Sequence, residues 1–68
     1  MTRLRINGEE AVVAVSTIAE LLALRGIDPK ARFLAVAVNG AVVRRAEWPA
    51  AALSSGDSVE IVRPLQGG

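Results

Sequence analysis

Two Asn-Gly dipeptides, Asn7-Gly8 and Asn39-Gly40, stand on either side of one short amphipathic stretch in a chain of 68 residues. Asn-Gly between alternating apolar segments is the strongest short-range hairpin signal, because both residues tolerate the positive φ of a two-residue type I′ turn. The first dipeptide follows Arg3-Leu4-Arg5-Ile6, which alternates with the period of a half-buried strand, and a Val-rich return covers Ala11 to Val15. Val12, Val13 and Val15 do not alternate cleanly, and Val13 and Val15 are assigned inward. The second dipeptide joins a strand within Phe33 to Asn39 to a short one, Ala41-Val42-Val43. After the turn-forming run Ser54-Ser55-Gly56-Asp57 comes a fifth alternating segment, Ser58 to Arg63, with Val59 and Ile61 on one face. A chain punctuated in this way has few folds open to it.

Between the hairpins, Thr17-Ile18-Ala19-Glu20 fits a capping box, with the Thr17 hydroxyl accepting from the Glu20 N–H and the Glu20 carboxylate reaching back. Ile18, Leu21, Leu22 and the stem of Arg25 recur at helical spacing on one face. Gly26 is placed to take the left-handed conformation after the last turn, with Ile27 supplying the hydrophobic contact that accompanies it. Asp28-Pro29 marks the stop, since a proline disfavours helix at the residue before it. A helix of about two and a half turns is unstable alone and needs a sheet to pack on.

The order strand, strand, helix, strand, strand, strand predicts an α+β fold in which the helix crosses one face of a five-stranded mixed sheet. The right-handed crossover rule sets the first strand beside the last, in the middle of the sheet, which is the β-grasp (ubiquitin-like) arrangement. Leu34, Val36 and Val38 then face the helix. Ala35, Ala37 and Val62 fall on the opposite face with Arg3, Arg5 and Glu60 around them, a candidate docking face. Arg44 to Pro49 lacks strand alternation and reads as a turn or a single helical turn, with Arg44 and Arg45 solvated and Trp48 closing one end of the core.

Composition removes whole classes of function. At this length folding buries only about 60 % of the surface that the unfolded chain exposes, and twelve of the hydrophobic residues are Ala, so stability is expected to be modest. There is no Cys and no His, hence no disulfide, no thiolate nucleophile, no imidazole base and no zinc set of the usual kind. The carboxylates Glu9, Glu10, Glu20, Asp28, Glu47, Asp57 and Glu60 are scattered and form no acid–base couple. A net charge of +1 gives no basic footprint for nucleic acid. No apolar run approaches a membrane span, and no secretory leader pattern opens the sequence. The expectation is a cytoplasmic protein that is not an enzyme and binds no cofactor or metal of its own.

What remains is the end of the sequence. Pro64 cannot continue a ladder, so residues 1–63 are read as the domain and 64–68, Pro64-Leu65-Gln66-Gly67-Gly68, as a flexible arm. Glycine lacks a Cβ, and a Gly-Gly backbone can pass a narrow channel and approach a ligand closely. The arm would present the Gly68 carboxylate to another protein's active site, with Gly67, Gln66 and Leu65 lying in the channel.

Thr17 to Leu22, Val36 to Gly40, Val42-Val43-Arg44 with Glu47-Trp48, Gly56 to Val62 and Gln66-Gly67-Gly68 together resemble the ThiS family of bacterial ubiquitin-like sulfur carriers. The resemblance implies a cycle on Gly68. A ThiF-like adenylyltransferase would use ATP and Mg²⁺ to adenylate its carboxylate. Sulfur from a cysteine-desulfurase relay would displace AMP to leave a thiocarboxylate. A ThiG-like thiazole synthase would take that sulfur into the thiazole of thiamine. Two departures from the family pattern are Pro64, where a small or aliphatic residue is usual, and a slightly long loop over Lys30 to Phe33. The small subunit of molybdopterin synthase shares the fold and the Gly-Gly end, but such chains are generally longer, and Gln66 and Glu47-Trp48 are more similar to the thiamine carrier. A ubiquitin-like protein modifier is a further reading, weakened by Lys30 being the single lysine beside seven arginines. A plain β-grasp binding domain is the last.

Overall fold

The structure is a computed structural model and describes residues 1–63. Strands β1 (Thr2–Ile6) and β2 (Glu9–Val13) form the first hairpin, helix α1 (Ile18–Leu24) follows, and β3 (Ala35–Val38) and β4 (Ala41–Val43) form the second. A 3-10 turn over Arg45–Glu47 leads to β5 (Ser58–Val62). The sheet order is β2-β1-β5-β3-β4, with β5 parallel to β1 and antiparallel to β3. This is the β-grasp arrangement, with first and last strands side by side in the middle.

Both Asn-Gly pairs make the turns their chemistry favours. Asn7 and Gly8 have φ of 50° and 86°, and Asn39 and Gly40 have 52° and 85°, the double positive φ of a type I′ hairpin. The asparagine amides also do something that the dipeptide pattern does not announce. Asn7 Oδ1 accepts from the Ile61 N–H at 2.8 Å and its Nδ2 donates to the Ile61 carbonyl at 3.2 Å. The side chain thereby extends the β1–β5 ladder beyond the end of β1. From the other side, Asn39 Oδ1 accepts from the Ser58 N–H at 2.9 Å, and its Nδ2 donates to Asp57 Oδ1 at 3.0 Å. The two hairpin turns hold β5 at opposite ends.

Helix α1 begins as its sequence predicts and is completed by distant backbone. Of the N–H groups that a helix start leaves without intrahelical partners, Glu20 donates to Thr17 Oγ1 at 3.2 Å, Ile18 to the Ala51 carbonyl at 3.1 Å and Ala19 to the Trp48 carbonyl at 3.2 Å. The Glu20 carboxylate reaches one residue further back than in the usual box and accepts from the Ser16 N–H at 2.6 Å. At the other end Gly26 (φ 72°) donates to Ala23 and Ile27 to Leu22, the double bond pattern of a Schellman motif. Ile18, Leu21 and Leu22 are fully buried against Leu4, Ile6, Val36 and Val59 in one core. Leu34 and Ile61 join them, and Trp48 closes the end, its Nε1 donating to the Val43 carbonyl at 2.9 Å.

Three expectations are corrected. The second strand runs from Glu9 to Val13, two residues earlier than expected, because the two-residue turn lets pairing resume at once with Ile6 opposite Glu9. Val13 still packs on the core and Val15 is buried from beyond the strand, while Val12 faces out. Arg25 lies just past the last helical residue, Leu24, as the C-cap and is exposed, so it does not continue the buried helical face. The third strand begins at Ala35, because Phe33 turns the chain with a φ of 62°. Leu34 still reaches the core.

Asn7→Gly keeps the turn conformation but removes the partly buried amide that pairs with Ile61. It is expected to lower unfolding free energy by about 1–3 kcal/mol. Asn39→Gly, which removes bonds at an exposed site, is expected to cost less. Urea denaturation of the two variants beside the parent checks the order.

Candidate functional site

With no His or Cys in the chain, and no cluster of three metal-ligating side chains among the described residues, attention falls on the strand that leads to Gly67-Gly68 and on the surface around it. β5 alternates strictly. Val59 and Ile61 sink into the core, and Glu60 and Val62 stand on the face away from the helix. The register brings neighbours to that face. Ala35 lies opposite Val62, Ala37 opposite Glu60, and Val42 opposite Ala37.

The expected face of Val62, Ala35 and Ala37 therefore exists as one connected strip. Val62 is 60 % exposed and Val42, which sequence reasoning left out, is 77 % exposed. Between them the two alanines keep the relief low. The omission of Val42 has a simple origin, since β4 has three residues and alternation cannot be read over so short a run. Arg3 and Arg5, expected around the strip, are instead engaged on the β1–β2 side. Their guanidinium groups lie 3.4 and 3.7 Å from the Glu10 carboxylate. On the outer face the Arg3, Arg5 and Glu10 charges thus lie on β1 and β2 with the exposed Val12 among them, and the low apolar strip lies on β3, β4 and the end of β5.

Arg44 and Arg45 separate into two roles. Arg44 makes an exposed ion pair with Glu47 at 3.2 Å, which contributes little in water. Arg45 forks onto backbone, donating to the Pro29 carbonyl and, at 2.8 Å, to that of Ala31. Its guanidinium carbon also lies 5.1 Å from the centroid of the Trp48 ring, within cation–π range. Arg45 is a strut between the 3-10 turn and the loop that carries the chain from α1 to β3. Pro64, Leu65, Gln66, Gly67 and Gly68 lie outside the described residues.

The sequence model of the ThiS family matches residues 4–68. The chain belongs to the ThiS family. A crystal structure of the thiamine biosynthesis protein ThiS from Geobacter metallireducens superimposes with a TM-score of 0.79 at 28 % identity, covering 98 % of this chain and 100 % of that one. An NMR solution structure of a thiamine biosynthesis protein from the same organism gives the same score and identity over 98 % of this chain and 88 % of that one. No curated protein matches the chain. Membership of the ThiS family agrees with the β-grasp topology read from the strand order.

In this ThiS-family chain Arg45→Lys keeps the charge but cannot span two carbonyls with a planar fork. The exchange is expected to cost about 1 kcal/mol, while Arg44→Lys leaves stability unchanged within error. Thermal denaturation of both variants measures the difference.

Proposed function

We propose that this chain carries sulfur for thiamine biosynthesis and that its reacting group is the carboxylate of Gly68. The observation that carries the reading is the extent of the ThiS-family match, which runs through Gly67-Gly68 to residue 68. The chain acts as a co-substrate of partner enzymes. An oxygen of the Gly68 carboxylate attacks the α-phosphorus of ATP on a ThiF-like adenylyltransferase, with Mg²⁺ on the phosphates, and pyrophosphate leaves. A carboxylate is a poor electrophile, and the acyl-adenylate supplies it with a good leaving group. The terminal sulfur of a persulfide delivered by a cysteine-desulfurase relay then attacks the acyl carbon, and AMP departs, leaving an acyl disulfide with the donor cysteine. A second thiol of the donor enzyme attacks the donor-side sulfur of that bond, which closes a disulfide on the enzyme and releases a thiocarboxylate whose sulfur is nucleophilic at neutral pH without free sulfide being released. A ThiG-like thiazole synthase consumes that sulfur and regenerates the carboxylate. No step calls on a general acid, base or nucleophile from this chain, which fits a sequence without His or Cys.

The same reading gives the outer strip a role. Val62 ends the strand that leads to Gly68, and with Ala35, Ala37 and Val42 it offers a low apolar surface on which a partner can seat the domain while holding Gln66, Gly67 and Gly68 in its channel. Leu65 then lies at the channel mouth.

Intact-mass measurement after co-expression with the activating enzyme is expected to show the gain of one oxygen-to-sulfur exchange at Gly68. Deleting Gly68, or replacing it with a bulky residue, is expected to abolish that gain with no fall in melting temperature. A truncated chain that still carried sulfur would overturn the reading. A ladder of this chain attached to other proteins would point instead to a modifier. Val62→Asp is expected to raise the KM for adenylation about ten-fold with the fold intact, and unchanged kinetics would remove the strip from the docking surface.

A further inference from the structure

Phe33 is placed against two tendencies at once. Its φ of 62° lies in the left-handed region, where a bulky side chain is an outlier. It is also 79 % exposed and stands outside the core cluster, so no burial offsets the cost. Among the described residues, the other non-glycine positions with positive φ are Asn7 and Asn39. Their short polar side chains favour that conformation, and their amides hold β5. Phe33 turns the chain into β3, a task glycine or asparagine would do with less strain, and its ring does no comparable work inside the domain. A bulky exposed side chain kept in such a conformation points to a function for the ring.

Its position says which function. Phe33 precedes Ala35 by two residues, and Ala35 is paired with Val62 at the end of β5. Phe33 therefore lies beside the point where the chain leaves the sheet. Gly68 is the fifth residue after Arg63, and an extended chain spans at most ~3.6 Å per residue, about 18 Å in all. An enzyme that takes the Gly68 carboxylate must bring its active site within that distance. A standard interface covers about 800 Å² on each partner, a disc roughly 16 Å in radius, so the end of the sheet bearing Phe33 falls beneath it. Lys30, Arg32 and Arg63 flank the same end, are exposed, and enter no ion pair among the described residues.

We propose that Phe33 is a docking anchor for the enzyme that activates the Gly68 carboxylate. The ring enters an apolar pocket on that enzyme, and an acidic rim around the pocket meets Lys30, Arg32 and Arg63. The inference rests on the sulfur-carrier reading. Aromatic side chains, Phe among them, and Arg are enriched at protein interfaces, and Arg is among the residues whose truncation costs most there.

Phe33→Gly tests it, because glycine adopts the observed φ without strain while the ring is lost. With the ATP-dependent adenylyltransferase from the same organism, ATP–pyrophosphate exchange is expected to show a KM for the carrier raised about ten-fold or more. The kcat stays unchanged, and the melting temperature is equal or higher. Phe33→Asn, also suited to positive φ, gives the same rise in KM. The pair Arg32→Glu with Arg63→Glu raises KM and flattens its dependence on salt. A Phe33→Gly chain with the parent's KM overturns the inference and leaves the sulfur-carrier reading standing. A parent chain that supports no exchange overturns both.

Discussion

From the β1 side, the Arg5 and Asn7 N–H groups donate to the Asp57 and Val59 carbonyls at 3.0 and 2.9 Å, while from the β3 side the Asn39 N–H donates to Ser58 at 2.7 Å. The side chains of the same two asparagines add four further bonds to residues 57–61. β5 is thus secured along both edges by backbone and at both ends by amides, with Val59 and Ile61 anchored in the core beneath. A central strand has no free edge from which to fray, and the parallel pairing with β1 joins the two halves of the molecule. Without it the structure would be two hairpins and a helix of seven residues, none of which is stable alone in water.

This constraint suits the proposed cycle, in which the reacting group lies beyond the sheet. In that cycle the domain contributes position and identity, and the partner enzymes contribute chemistry. A firmly held β5 defines where residues 64–68 begin, so that a short reach from Arg63 bounds where any partner active site can sit. The outer face carries the Arg3, Arg5 and Glu10 charges with the exposed Val12 on β1–β2 and the low apolar strip on β3–β4, so its two sides differ in chemistry.

The remaining elements act as supports for that strand. Segment 48–53 closes the start of α1 by accepting from Ile18 and Ala19, and it is tied back by the Leu53 N–H donating to the Ser16 carbonyl at 2.8 Å. Arg45 joins the loop at 29–31 to Trp48. A domain with a small, alanine-rich composition reaches a defined structure by satisfying its loop backbone with polar contacts as well as by burying apolar area.

Local chemistry in the sequence determined the two I′ turns, the Thr17 cap, the Gly26 stop, the inward set Leu4, Ile6, Val36, Val59 and Ile61, and through the order of elements the β-grasp topology. These depend on φ preference and on periodicity, both of which a residue carries with it. The Gly-Gly motif and the ThiS-family pattern were legible for the same reason. Tertiary structure alone decided that Asn7 and Asn39 reach across 54 and 19 residues to hold β5, that Arg45 serves as a strut, that Val42 completes the apolar strip, and that Phe33 stands exposed in a left-handed turn just before β3. Each of these is a relation between residues distant in the chain, or a backbone state that its residue type disfavours, and neither is encoded in any single stretch of the sequence.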